Sequence, residues 1–351
     1  MKKIIVISLI LTLFSCSKEV ENMPDNPQDE IISFESLGLE GKIVHQIIAT
    51  DSILIAATDQ GVYKSDFSSN WTLMGLQKKN VIAISIIDSN TIVCSVTDDD
   101  QFQNPQLLKS LDFGQSWSVV ESNFGGETPE IIFELRYNSS SNELLASGKG
   151  VIASSFDEGK TWVIQFGFWN AFTKGLWALE INPANNQVWA GGQNAIESQV
   201  IVQLDSDREE INQWINVLPS PSTVEKFAFN NDSNRIILGC EDGILLTEDN
   251  GNSWKNIYSN DTVSARFYYG LVYDNLDSEK IIAASWDKNF ERPQPLMLHI
   301  SEDNGETWSI ITPNIPLIFG GTRDMLQRQE NGKTVLYLGL WKGGVYRAEI
   351  Q

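Results

Sequence analysis

The chain of 351 residues contains only two histidines and three cysteines. One cysteine, Cys16, sits at the end of an apolar leader, which leaves Cys94 and Cys240 on what read as separate repeats. A disulfide framework is therefore excluded, and two buried free thiols are expected instead. Neither histidine adjoins a cysteine, so no zinc-ligand spacing is present and no metal or cofactor is expected. Basic side chains are scarce: 25 Lys and Arg stand against 46 Asp and Glu, a formal net charge of −21. A surface of that sign repels phosphate, which argues against nucleic acid as a partner. The leader's apolar run, Ile4–Phe14, is eleven residues long and too short to span a bilayer.

What the chain has in plenty is serine, asparagine, glycine and 11 tryptophans, a composition suited to turn-rich strands. One stretch recurs. SLDFGQSW (Ser110–Trp117), SFDEGKTW (Ser155–Trp162), TEDNGNSW (Thr247–Trp254) and SEDNGETW (Ser301–Trp308) all fit S/T-x-D-x-G-x-S/T-W. The Asp can accept nearby backbone N–H bonds and the Gly can take positive φ, so each copy reads as a hairpin turn leading into a strand that begins with Trp. A second repeating signal is an apolar strand ending in small residues, at ILIAAT (53), TIVCSV (91), ELLASG (143), QVWAGG (187), RIILGC (235), KIIAAS (280) and VLYLGL (335). That makes seven copies. The first repeat keeps Asp66 and Trp71 of the turn motif, and the fourth keeps only Trp214. Successive tryptophans from Trp71 to Trp308 are 46, 45, 52, 40 and 54 residues apart, the period of a four-stranded propeller blade.

These residues resemble the Asp-box, or BNR repeat, of sortilin-type receptors, xyloglucanase-type hydrolases and photosystem II assembly-factor propellers. The resemblance implies that Asp112, Asp157, Asp249 and Asp303 are structural and sit away from the ligand face. The expected architecture is all-β: a seven-bladed β-propeller of four-stranded antiparallel blades over residues 31–351. The seventh repeat stops at GGVYRAEI (343–350), one strand short. The missing strand stands at the other end, where Phe34-Glu35-Ser36-Leu37-Gly38-Leu39 matches Trp71-Thr72-Leu73-Met74-Gly75-Leu76. The N-terminal strand is thus expected to close the ring, which removes exposed sheet edges.

Residues 1–15 read as a signal peptide: Lys2 and Lys3, the apolar run, then Leu13-Phe14-Ser15-Cys16. This ending is similar to a bacterial lipobox, which implies cleavage before Cys16 and lipidation of its sulfur. Ser17-Lys18-Glu19 is similar to the export tags of Bacteroidetes surface lipoproteins. Residues 16–30, acidic and without aromatics, read as a disordered tether. The expectation is an outer-membrane lipoprotein, a monomer that meets the membrane through its lipid anchor alone.

Candidate site residues lie in two places. Loops on one face carry Trp169, Phe172, Trp286 and Trp341 beside Arg266, Arg323 and Lys342, the mix of rings and charges that suits a sugar or peptide. Aligning the innermost strands brings Glu134, Arg136, Glu180 and Lys226 towards the central channel. Mutually paired, these four form an ion network; unpaired, Glu134 and Glu180 could act as glycosidase carboxyls. Asp98-Asp99-Asp100 lacks the alternating spacing of a calcium loop. The first arginine, Arg136, falls in the third repeat and no R-x-P motif precedes it, which disfavours a sialidase. Three functions fit: a binding module for a glycan or envelope protein, an extracellular glycoside hydrolase, and an assembly or scaffold factor. For the leader, the expected outcome is incorporation of labelled palmitate that disappears in Cys16→Ala; no label in the parent chain would refute lipidation.

Overall fold

Seven innermost strands, Val44–Ala49, Asn80–Ile86, Ile132–Asn138, Thr173–Ile181, Val224–Phe229, Arg266–Tyr273 and Thr322–Glu330, each begin a four-stranded antiparallel sheet. The structure is a computed structural model, and it describes residues 32–120, 130–167, 173–215, 217–218, 222–230, 234–259, 266–288 and 291–350. The signal peptide, Cys16, the tether, Trp169 and Phe172 lie outside the described residues. The sheets form a seven-bladed β-propeller.

Six blades run in chain order from inner to outer strand. The seventh takes three strands from the C-terminal end and its fourth from Ser33–Gly38. Phe34 pairs with Ala348, Ser36 with Tyr346 and Gly38 with Val345. The match between the N-terminal segment and the first blade's outer strand extends to the backbone: Gly38-Leu39 and Gly75-Leu76 all have positive φ.

The core lies between blades. Ile55, Ala57 and Val62 of the first pack against Val81, Ile84 and Cys94 of the second, and equivalent clusters recur around the ring. Such packing needs small residues where the second strands end. A Cβ on Gly239 would fall 2.1 Å from the carbonyl oxygen of Tyr268 in the next blade. At Gly339 it would fall 2.7 Å from Val44, across the closure. Both cysteines are buried free thiols.

The four full turn motifs share one geometry. Ser110 Oγ donates to Asp112 Oδ1 at 2.8 Å and accepts the Gly114 N–H at 2.7 Å. Asp112 also accepts the Ser116 N–H at 2.8 Å and its hydroxyl at 2.6 Å. Asp157, Asp249 and Asp303 repeat the pattern. The Ser116 and Thr307 hydroxyls bonded to them help hold Asp112 and Asp303 down to about 2. Every carboxylate is thus occupied within its own turn.

In the second and sixth blades the motif's Trp ties one blade to the previous one through its indole N–H. Trp117 Nε1 donates to Met74 O at 3.0 Å, and Trp308 Nε1 to Ile257 O at 3.1 Å. Trp71 Nε1 donates in the same way to Leu37 O at 2.6 Å, so the N-terminal strand is stapled as any outer strand would be. The fourth blade lacks the motif and uses other means. Arg208 is buried against Glu143 of the third blade at 2.6 Å and donates to three backbone carbonyls. Within the blade, Trp214 stacks on Trp189 at 5.6 Å.

Leu37 is fully buried, and burying one Leu contributes about 2 kcal/mol. Deleting residues 32–39 also exposes a strand edge and frees Trp71, so Tm should fall by at least about 5 °C. An unchanged melting curve would show that the closing strand contributes nothing.

Candidate functional site

Each of the seven innermost strands slips register by one residue against its neighbour, at the same place. A bulge of this kind puts one extra residue into a strand and re-aims its side chain. The residues concerned are His45, Ile82, Phe133, Trp177, Glu225, Tyr269 and Arg323, one from each blade in order, with Tyr268 sharing the irregularity in the sixth. All seven line one cavity of about 620 Å³ at the mouth of the channel. Strict alternation would have hidden half of them, since Phe133 and Glu134, or Glu225 and Lys226, are consecutive yet reach the same space.

The ring is divided in character. Ile82, Phe133 and Trp177 form an apolar arc, with Phe133 at 6.0 Å from Trp177 and 5.7 Å from Phe102 on the rim. Phe102 is 44% exposed, so part of this arc is open to a ligand. Opposite stand Tyr269 and Arg323, enclosed by loop aromatics. The Arg323 guanidinium lies 4.0 Å from the Tyr269 ring, 5.3 Å from Trp286 and 5.8 Å from Trp341. Lys288 sits over Phe267 and Lys342 over Trp341. A guanidinium facing ring π-clouds is favourably placed.

Burial sets the protonation of this ring. It pushes the Glu225 carboxyl up to about 8, although the Arg323 charge pulls the other way. It lowers His45 to about 4, assisted by repulsion from Arg323. At neutral pH both are uncharged, which leaves Arg323 as the one charge in the ring.

Further along the strands lies a polar layer, one residue on at Gln46, Glu134, Lys226 and Asp324 and three residues on at Arg136 and Glu180. Arg136 Nη2 and Nε contact the two oxygens of Glu180 at 2.8 and 3.0 Å, and its Nη1 reaches Glu134 at 2.5 Å. Lys226 lies 3.5 Å from Glu180 and 3.2 Å from Asp324. Asp324 and Gln46 complete the layer: Asp324 accepts the Ile47 N–H at 2.8 Å, and Gln46 bridges Glu134 and the Ile84 N–H. Burial raises Glu134 to about 7, against the attraction of Arg136 and Lys226. Glu180 is equally desolvated, yet the Arg136 and Lys226 charges bring it below the ordinary glutamate range. Beyond this layer a second cavity of about 340 Å³ opens, and the two share Gln46, Lys226 and Asp324.

The structure thus brings Glu134, Arg136, Glu180 and Lys226 into a network, and places Trp341, Arg323 and Lys342 at the mouth. Two residues sit differently from what their loops suggest. Trp286 is only 3% exposed, a wall beneath Arg323 and Trp341 rather than an open platform. Arg266 is buried in an ion pair with Asp287 at 2.6 Å, which occupies its guanidinium. Asp98 pairs with Lys79 and Asp99 accepts backbone N–H groups of its own turn, so these two acids serve the loop itself. His45, Phe133, Glu225 and Tyr269 were not apparent from sequence. The available signal is that the residue just before the Glu134-type position is large in all seven repeats.

No family model matches the chain, and no curated protein sequence matches it. Solved structures do. A GH74 xyloglucanase from Xanthomonas campestris superposes with a TM-score of 0.65 at 15% identity, over 90% of this chain and 53% of that one. The chain therefore spans about half that enzyme's length. YCF48 bound to D1 peptide gives 0.64 at 15% identity, over 94% of this chain and 97% of the other. The extracellular domain of a one-component system from B. thetaiotaomicron gives 0.64 at 11%, over 91% and 40%. At these identities the likeness is one of fold.

The sign of the Glu225 effect can be tested. Its folded value, about 8, exceeds the ordinary 4.5, so between these the folded chain keeps a proton that the unfolded chain gives up. This contribution favours the fold most at low pH and fades as pH rises towards 8. Glu225→Gln should therefore flatten the decline of Tm between about pH 5 and pH 8; an identical slope in both proteins would contradict the shift.

Proposed function

We propose that the protein is a lipid-anchored extracytoplasmic propeller that binds a glycan at its mouth. The observation that carries this reading is the 620 Å³ cavity, where open rings face hydrogen-bonding and charged groups. Sugar recognition needs ring faces for C–H surfaces and polar groups for hydroxyls, and both are supplied here from all seven blades. The occupied channel carboxylates favour binding over catalysis, because Arg136 holds Glu134 and Glu180 together. The export leader and the lipobox-like Cys16 support a place at the outer membrane.

One observation favours a second reading. Glu134 and Glu180 are neighbours whose environments drive their proton affinities apart, the arrangement of a glycosidase acid and its partner. On that reading Glu134→Gln abolishes reducing-sugar release from a polysaccharide. An envelope scaffold bound to a protein partner would use the same mouth.

Screening immobilised glycans should find a ligand whose retention falls at least ten-fold in Trp177→Ala and Trp341→Ala. Equal retention by both variants would remove the mouth from the binding site.

A further inference from the structure

Resting on the reading of the mouth as a glycan site, we propose that Arg323 receives the carboxylate of an acidic sugar, a single uronate residue in an otherwise neutral chain. Arg323 comes from the bulge of the seventh blade and lines the cavity. Among the described residues no carboxylate lies within ion-pair distance of it. Its Nε is buried and meets no acceptor there, an expensive condition for a charged group. Other arginines of the site region are satisfied: Arg136 by Glu134 and Glu180, and Arg266 by Asp287.

What surrounds Arg323 suits a carboxylate. Its ring neighbours orient the guanidinium fork, and a planar carboxylate can accept from such a fork with two parallel bonds. Glu225, the nearest acid in the bulge ring, is neutral at pH 7 and does not compete as an anion. Lys342 adds a second positive charge over Trp341. On the far side, Phe133 and Trp177 offer apolar surface for a sugar's C–H face. The net charge of −21 opposes long runs of acidic sugar, whereas a single carboxylate seated against Arg323 meets an opposite charge at contact while the rest of the surface charge is damped over about 8 Å at physiological salt, so an isolated uronate is the form that fits.

Calorimetry can compare a neutral galactose oligosaccharide, the same chain ending in galacturonate, and the methyl ester of that acid. Wild-type protein should bind the free acid at least ten-fold tighter than either of the others. Arg323→Gln should bring all three to parity without shifting the melting curve. Should that variant not fold, competition on the wild-type protein decides: free glucuronate displaces the bound oligosaccharide and free glucose does not. Equal affinity for neutral and acidic chains would overturn the uronate assignment while leaving glycan binding intact. Binding of a peptide carboxylate with no acidic sugar bound would also overturn it. Failure of every sugar would sink both readings.

Discussion

The bulge carried by every innermost strand is the constraint on which the site depends. A plain strand alternates, and each blade would then give the mouth every second side chain. The extra residue puts two consecutive side chains on the channel side, one at the mouth and one in the ionic layer. Sevenfold repetition turns that local irregularity into two stacked rings: His45 to Arg323 above, Gln46 to Asp324 below. The lower ring is fixed by the Lys226–Asp324 bridge, by bridges from Glu134 and Lys226 to Arg136 and Glu180 in the next row, and by bonds to backbone N–H groups at Ile47 and Ile84. The upper ring rests on that layer and is free to differ from blade to blade.

Blade count, closure and the structural role of the aspartates were legible because each has a local sequence cause. A turn needs Asp and Gly at fixed offsets, a blade interface needs small residues such as Gly239, and the closing strand shares its Gly-Leu ending with the first blade's outer strand, at Gly38 and Gly75. The convergence of Glu134, Arg136, Glu180 and Lys226 could be read for the same reason, from strand alignment. Bulges have no such local cause here. No glycine or proline marks the slip at His45 or Glu225, so Asp324 and the upper ring apart from Arg323 stayed hidden. Nor does sequence show that Arg266 meets Asp287, or that the rings of Phe267, Tyr269 and Trp341 cover Trp286.

The molecule separates its tasks by radius. Outer strands and turns carry the Asp motif and, at Trp71, Trp117 and Trp308, staples that fasten neighbouring blades through backbone carbonyls. Middle strands are largely buried and supply the apolar packing between sheets, with polar exceptions such as Glu143, Gln203 and His299. Chemistry is confined to the innermost strands and the loops at one end. Substitution in the mouth therefore costs the fold little, which is how one architecture can serve an enzyme such as a xyloglucanase and a peptide-binding protein such as YCF48.

The ionic layer has a geometric corollary. Gln46, Lys226 and Asp324 border both cavities, so the axis passes through a layer of charged and amide side chains between the mouth and the far side. Whatever enters the mouth along the axis therefore meets ionic groups at its innermost point and apolar rings only nearer the rim.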